Sequence, residues 1–173
     1  MASLRRLFGK LRLRVNETKS KVRRATVAKF LGFSFTRVHG VVRRRVASEA
    51  LARLKRHVRA LTRRSAGCSL AQMCERLGAY LRGWRAYFRF AETPHRFAAL
   101  DKWIRHRLRA VQLKLWRRGP VIYRALRARG LSDHAARCVA AHSRRWWYAS
   151  AKGLHIALPN RLFVELGVPP LAG

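Results

Sequence analysis

The sequence predicts a mostly α-helical protein, a helical bundle preceded by a small β unit, α+β overall. Three observations predict it. Apolar residues alternate in the first 47 positions and then recur at helical spacing from Ser48 onward. The second part is punctuated by helix starts and stops at Ser69, Thr93-Pro94, Gly119-Pro120 and Ser132. FLGFSF followed by TRVHGVVRRRVA reads as two strand-like runs turning near His39-Gly40. The organisation predicted is a strand unit over residues 1–47, a three-helix core over 48–118, and C-terminal helices with a tail over 119–173.

In order, a short helix is expected from Ser3 to Phe8, then strands in KLRLRV (Lys10 to Val15), FLGFSF and TRVHGVVRRRVA. Leu51, Leu54, Val58 and Leu61 mark the buried face of the first core helix, which Ser65-Ala66-Gly67 ends. Ser69-Leu70-Ala71-Gln72 fits a capping box, in which the Ser hydroxyl and the Gln side chain reciprocally satisfy free backbone N–H groups, and opens a helix reaching about Phe90. Thr93 as N-cap and Pro94 at the first helical position start a third helix running to about Arg118. Gly119-Pro120 stops it. Val121 to Arg129 makes a fourth helix closed by Gly130, and Ser132 caps a fifth that reaches about His142.

The charge balance sets the class of partner. Among 173 residues, 40 are Lys or Arg and only 7 are Asp or Glu, a net charge of +33. Such a chain repels itself unless anions are nearby, so a polyanion is the expected partner. Most of the cations are arginines, whose planar fork suits bidentate phosphate contacts, although a GC-rich genome produces the same bias. Hydrophobic residues make up 49% of the chain, enough for a core. No run of about 18 apolar residues occurs and the N-terminus lacks an apolar signal region, so no membrane partner and a cytoplasmic location are expected.

Catalytic sites are hard to place. The seven acids, Glu17, Glu49, Glu75, Glu92, Asp101, Asp133 and Glu165, include no adjacent pair and none spaced to converge from a strand, so no metal-dependent phosphoryl transfer is expected. Cys68, Cys74 and Cys138 fit no metal-ligand spacing, nucleotide-binding motifs are absent, and no cofactor is expected. The seven histidines lack a paired carboxylate or nucleophile and read as basic-face or core residues.

YLRGWRAYFRF, Tyr80 to Phe90, sharpens the question of how aromatics and arginines divide a helix. At about 100° per residue, Leu77, Tyr80, Leu81, Trp84, Tyr87 and Phe88 share an arc of about 120°, and Arg82, Arg85 and Arg89 form a stripe beside it. The aromatics are therefore assigned to the core: Leu81, Trp84 and Phe88, with Ile104 and Leu108 from the next helix. In that next helix Trp116 lies off the apolar arc with Lys102, Arg105 and Arg109, which suits a platform for an unpaired base; packing against the C-terminal segment is the open alternative.

LRLRVNETKSKV followed by KFLGFSF resembles the last blocks of the palm of group II intron reverse transcriptases. SLAQMCERLGAYLRGWRAYFRFAETPHRFAALDKWIRHRLR resembles their thumb and maturase-specific domain, with its Leu-Arg-Gly-Trp helix at Leu81 to Trp84 and its Asp-x-Trp-Ile helix from Asp101 to Arg109. GLSDHAARCVAAHSRRWWYAS and LPNRLFVELGVPPL are similar to the C-terminal segment of that family. The resemblance covers nearly the whole chain.

It implies a bacterial mobile-element protein that binds group II intron RNA and assists its splicing. It also names the first unit a palm remnant, the second the thumb and maturase core, and the third the maturase-specific C-terminus. The family's Tyr-Ala-Asp-Asp motif belongs upstream of VNETKS and does not occur, so a fragment without polymerase activity is expected, served by integration-site DNA or a separate reverse-transcriptase polypeptide as further partners. The expected RNA-binding residues are Lys19 and Lys21; Arg53, Arg56, Arg59 and Arg63; Arg82, Arg85 and Arg89. Lys102, Arg105, Arg109, Trp116, Arg117, Arg118, Arg144 and Arg145 complete the set. Two other readings stay open: a DNA-binding accessory protein using the Ser132 helix, and a degenerate fragment whose exposed strand edge prevents it from folding alone.

Overall fold

In the computed structural model, which describes residues 2–12, 16, 24–63, 67–151 and 153–172, the alternating run of the first part closes into a hairpin. β1 (Lys29–Phe30), β2 (Phe33–Val38) and β3 (Val41–Val46) form an antiparallel sheet in that order. Val38 pairs with Val41. Between them His39 and Gly40 take φ of 48° and 80°, the primed-turn geometry whose twist suits a two-residue hairpin loop.

The strand expected over Lys10 to Val15 is overturned where it can be seen. α1 (Ala2–Lys10) runs past Phe8, and the Leu11 N–H donates to Leu7 O and the Arg12 N–H to Gly9 O, which makes a helix end and a turn. Residues 13–15 lie outside the described residues. Over so few positions, basic and apolar alternation also suits a helix end, where cations complement the terminal carbonyls.

α2 (Ser48–Leu61) buries Ala50, Leu54 and Val58. α3 (Leu70–Tyr87) begins with the expected capping box: the Gln72 N–H donates to Ser69 Oγ at 3.3 Å and the Ser69 N–H to Gln72 Oε1 at 3.0 Å. α4 (Pro94–Trp116) starts at the proline, but Thr93 does not cap it with its side chain. The Thr93 backbone, at φ −133° and ψ 53°, departs from the extended geometry that aims a capping hydroxyl, and its Oγ1 is buried without a hydrogen bond. The helix ends before Arg117, which takes φ 61°.

α4 thus ends short of Gly119-Pro120, which opens α5 (Gly119–Arg127), where the missing proline N–H removes no helical bond. α6 (Asp133–Ala141) is capped by Ser132, whose Oγ accepts from the Ala135 N–H. Three short helices follow: α7 (Trp146–Ala149), α8 (Leu154–Ala157) and α9 (Asn160–Glu165).

One core cluster unites these pieces. It runs from Val46 at the end of β3 through Leu54, Leu81, Ile104, Leu108 and Leu126 to Phe163 and Leu171. The segment beyond residue 118 thus shares its core with the helices before it. Leu81 and Leu108 are fully buried, each contributing about 2 kcal/mol by removal of apolar surface from water. The sheet joins the bundle where Phe88 meets Phe33 at 5.1 Å between ring centroids and the Tyr87 hydroxyl donates to Leu31 O at 2.8 Å.

Two contacts fix the C-terminal tail. Asp101, buried on α4, accepts from the Leu171 N–H at 2.9 and 3.1 Å and from the Ala172 N–H at 3.0 Å. At Gly78 the tail backbone presses so close that an added Cβ would lie 1.9 Å from Gly167 O. Gly78→Ala is therefore expected to lower stability by about 1 to 3 kcal/mol, the usual range for overpacking. An unchanged midpoint in a circular-dichroism melt would contradict this contact.

Candidate nucleic-acid interface

On α2 the apolar side faces the core, so Arg53, Arg56 and Arg59, with Arg63 just beyond the helix, are exposed. Arg59 and Lys55 reach over the ring of Trp103 on α4, at 5.6 and 5.9 Å from its centroid, a favourable place for a cation against a π face. Arg107 crosses from α4 to the end of α2, donating to Arg59 O at 3.2 Å, Thr62 O at 3.3 Å and the Thr62 hydroxyl. It satisfies the free carbonyls that every helix C-terminus leaves. This arginine is structural.

α3 separates its aromatics from its arginines. Leu81 and Phe88 are buried, and Trp84 is half-buried, meeting Phe88 at 4.6 Å and Phe97 at 5.6 Å between centroids. Trp84 therefore packs on the core without being enclosed, and with Arg53, Tyr80 and Tyr87 it lines a hollow of about 440 Å³. Arg82, Arg85 and Arg89 are exposed. Arg82 is engaged as well, donating to Gly167 O at 3.1 Å, and Arg89 lies 4.5 Å over the Phe90 ring.

The face of α4 that carries Lys102, Arg105 and Arg109 meets the C-terminal segment. Together with His106, Ser150, Ala151, His155 and Asn160 these residues line a cleft of about 370 Å³. Among the described residues no carboxylate lines it. Arg109 is half-buried and donates to Leu158 O and Asn160 Oδ1, each at 3.0 Å, so its role as a free cation is corrected to that of a brace for this segment. Burial, and then the neighbouring Arg105, push its pKa down.

Burial and the Arg109 charge also hold His106 below the ordinary imidazole value of 6.5, against an opposing hydrogen bond with the Trp147 backbone. The unfolded chain then binds that proton more readily than the folded one, so stability is full above pH 6.5 and is lost as pH falls. The melting midpoint is expected to drop between pH 7.5 and 5.5, and less steeply in His106→Gln. Identical pH slopes would contradict the burial of a neutral imidazole.

Trp116 departs from its expected role. It is half-buried and packs on the core cluster, with the Arg129 guanidinium 5.1 Å from its ring centroid. Arg109 and Arg105 sit about 10 and about 16 Å back along the helix, at 1.5 Å per residue. The alternative of packing prevails because α5 and its following turn fold back over this end of α4. Arg117 and Arg118, between α4 and α5, and Arg144 and Arg145, between α6 and α7, are exposed. Lys19 and Lys21 lie outside the described residues.

Four acids have partners in the fold, while Glu75 on α3 and Glu165 on α9 are exposed. Glu49 pairs with Lys29, Glu92 with Arg44 at 3.8 Å, Asp133 with Arg137 at 2.9 Å, and Asp101 with the tail backbone. Among the described residues, no three His, Cys, Asp or Glu side chains gather to hold a metal ion. Burial pushes the Cys74 thiol up to about 12, leaving it protonated in the core. Among the described residues no helix is long and apolar enough to cross a membrane.

Charge spacing along the helices made the stripes legible. His106, Ser150, His155 and Asn160 were missed as cleft residues, because they come together only when α7 to α9 dock on α4. Residues 51–130 match the family model described as group II intron, maturase-specific domain. No curated protein matches the chain. The matched span holds the stripes of α2 and α3 and the cleft face of α4, and ends before Ser150, His155 and Asn160.

Proposed function

We propose that this chain, which carries a group II intron maturase-specific domain over residues 51–130, binds structured intron RNA through its phosphates and assists splicing. One observation carries the reading: inside that domain the exposed faces of α2 and α3 present many arginines against the exposed acids Glu75 and Glu92, Glu92 being paired with Arg44, while Asp101 turns inward to the tail backbone. A surface so short of counter-charge gains most from a folded polyanion, which offers many phosphates at once. The test is splicing of a group II intron RNA at a magnesium concentration too low for the RNA alone. Added protein is expected to restore product, and binding without any gain in splicing would contradict the reading.

No nucleotide-joining step is assigned to this chain. The support lies in its seven scattered acids, since two-metal polymerase chemistry needs convergent carboxylates. Purified protein with primer, template, nucleotides and magnesium is expected to extend nothing; incorporation above a protein-free blank would contradict this. A DNA-reading role for α6 has less support, because that helix opens on Asp133 and its cation Arg137 is paired to it.

A further inference from the structure

We propose that the cleft between α4 and the C-terminal segment is a seat for a single phosphate group, held by Lys102, Arg105 and His155. The inference rests on the RNA-binding reading for its occupant and assigns one place in the RNA contact to a defined pocket.

The exposed stripes offer cations one at a time to solvent, whereas here several face one open cleft of about 370 Å³ with no carboxylate among the described residues on its walls. Arg105 adds to burial in raising the cost of the Arg109 charge, which is met by the oxygens of Leu158 and Asn160. An anion beside Arg105 would lower that cost. The remaining walls are already committed: Arg109 braces Leu158 and Asn160, and Ser150 donates to Trp147 O at 2.8 Å, which leaves its oxygen to accept from His106 at 3.1 Å. The groups left to grip a ligand are Lys102 and His155, both exposed, and the half-buried Arg105. A phosphate suits them, since charge-assisted hydrogen bonds to its oxygens are short and strong and Arg offers two in parallel. Because Lys102 and Arg105 come from α4 and His155 from α8, the seat exists only when the C-terminal segment is docked.

Both an internal RNA diester and a terminal phosphate present this chemistry. In the first arm, inorganic phosphate is titrated into the full chain while histidine imidazole resonances are followed. A saturable shift confined to His106 and His155, lost in Lys102→Gln/Arg105→Gln, is expected. A linear drift shared by all seven histidines would overturn the seat. In the second arm, RNA affinity of that double variant is compared with the charge-matched Arg76→Gln/Arg124→Gln, with circular dichroism confirming the fold of each. A loss at least about tenfold larger in the cleft variant is expected. Equal losses would overturn the seat while leaving RNA binding by the chain intact, whereas a wild-type chain that takes phosphate but no RNA would overturn only the wider reading. Lys102→Gln alone, at an exposed position, serves if the double variant unfolds. Oligonucleotides with and without a 5′ phosphate separate the two sources: preference for the phosphorylated one assigns a terminal group, and equal binding an internal diester.

Discussion

RNA affinity of this chain is expected to fall by about 10³ to 10⁵ between 50 and 200 mM salt, the drop that accompanies neutralisation of about 6 to 10 phosphates. With 40 Lys and Arg against 7 acids, and four of those acids held by Lys29, Arg44, Arg137 and the tail backbone, few of the exposed arginines have a competing partner. Each neutralised phosphate releases condensed counterions, and their release weakens as bulk salt rises. Arg56, Arg63, Arg85 and Arg89 changed together to Gln should leave the fold intact, since all four are exposed, and should flatten the salt slope by about one for each phosphate left unneutralised. A flat titration for the unaltered chain would contradict phosphate binding.

Asp101→Ala is expected to lower stability by about 3 kcal/mol, which for a chain of this size is a midpoint lower by about 6 to 12 °C. The carboxylate accepts from two backbone N–H groups of the tail in a buried place, and alanine would strand both donors away from water. Asn in its place keeps one carbonyl acceptor and should recover part of the loss. The effect extends to function, because the tail and α9 cover the end of α4 from which the cleft opens. A melt of Asp101→Ala that matches the unaltered chain would contradict this anchoring.

How much could be read beforehand depended on whether a feature was local. The capping box at Ser69 and Gln72, the hairpin at His39-Gly40 and the arginine stripes of α2 and α3 follow from spacing over a few residues, and each stands in the structure as the spacing implied. Lys10 to Arg12 is the local exception: the alternation there did not outweigh the end of α1. Thr93 shows a second limit, since residue type signals an N-cap but the backbone angles decide whether its hydroxyl reaches an N–H. Trp116, Arg109 and Asp101 share a third. Their partners, Arg129, Asn160 and Leu171, all come from beyond α4, and one helix's periodicity contains no information about what docks on it. The same reason hid the cleft, whose α4 face was visible as charge and whose other wall was not.

The most direct test of RNA binding as the activity of this chain is a filter-binding competition at one fixed salt concentration between a folded group II intron RNA and duplex DNA of equal length. The two are compared at equal total phosphate, the duplex carrying two per base pair, so that shape and sugar decide the outcome. The intron RNA is expected to displace the DNA by a wide margin while the DNA barely displaces the RNA. Equal displacement in both directions would reduce the interface to nonspecific charge and contradict the account.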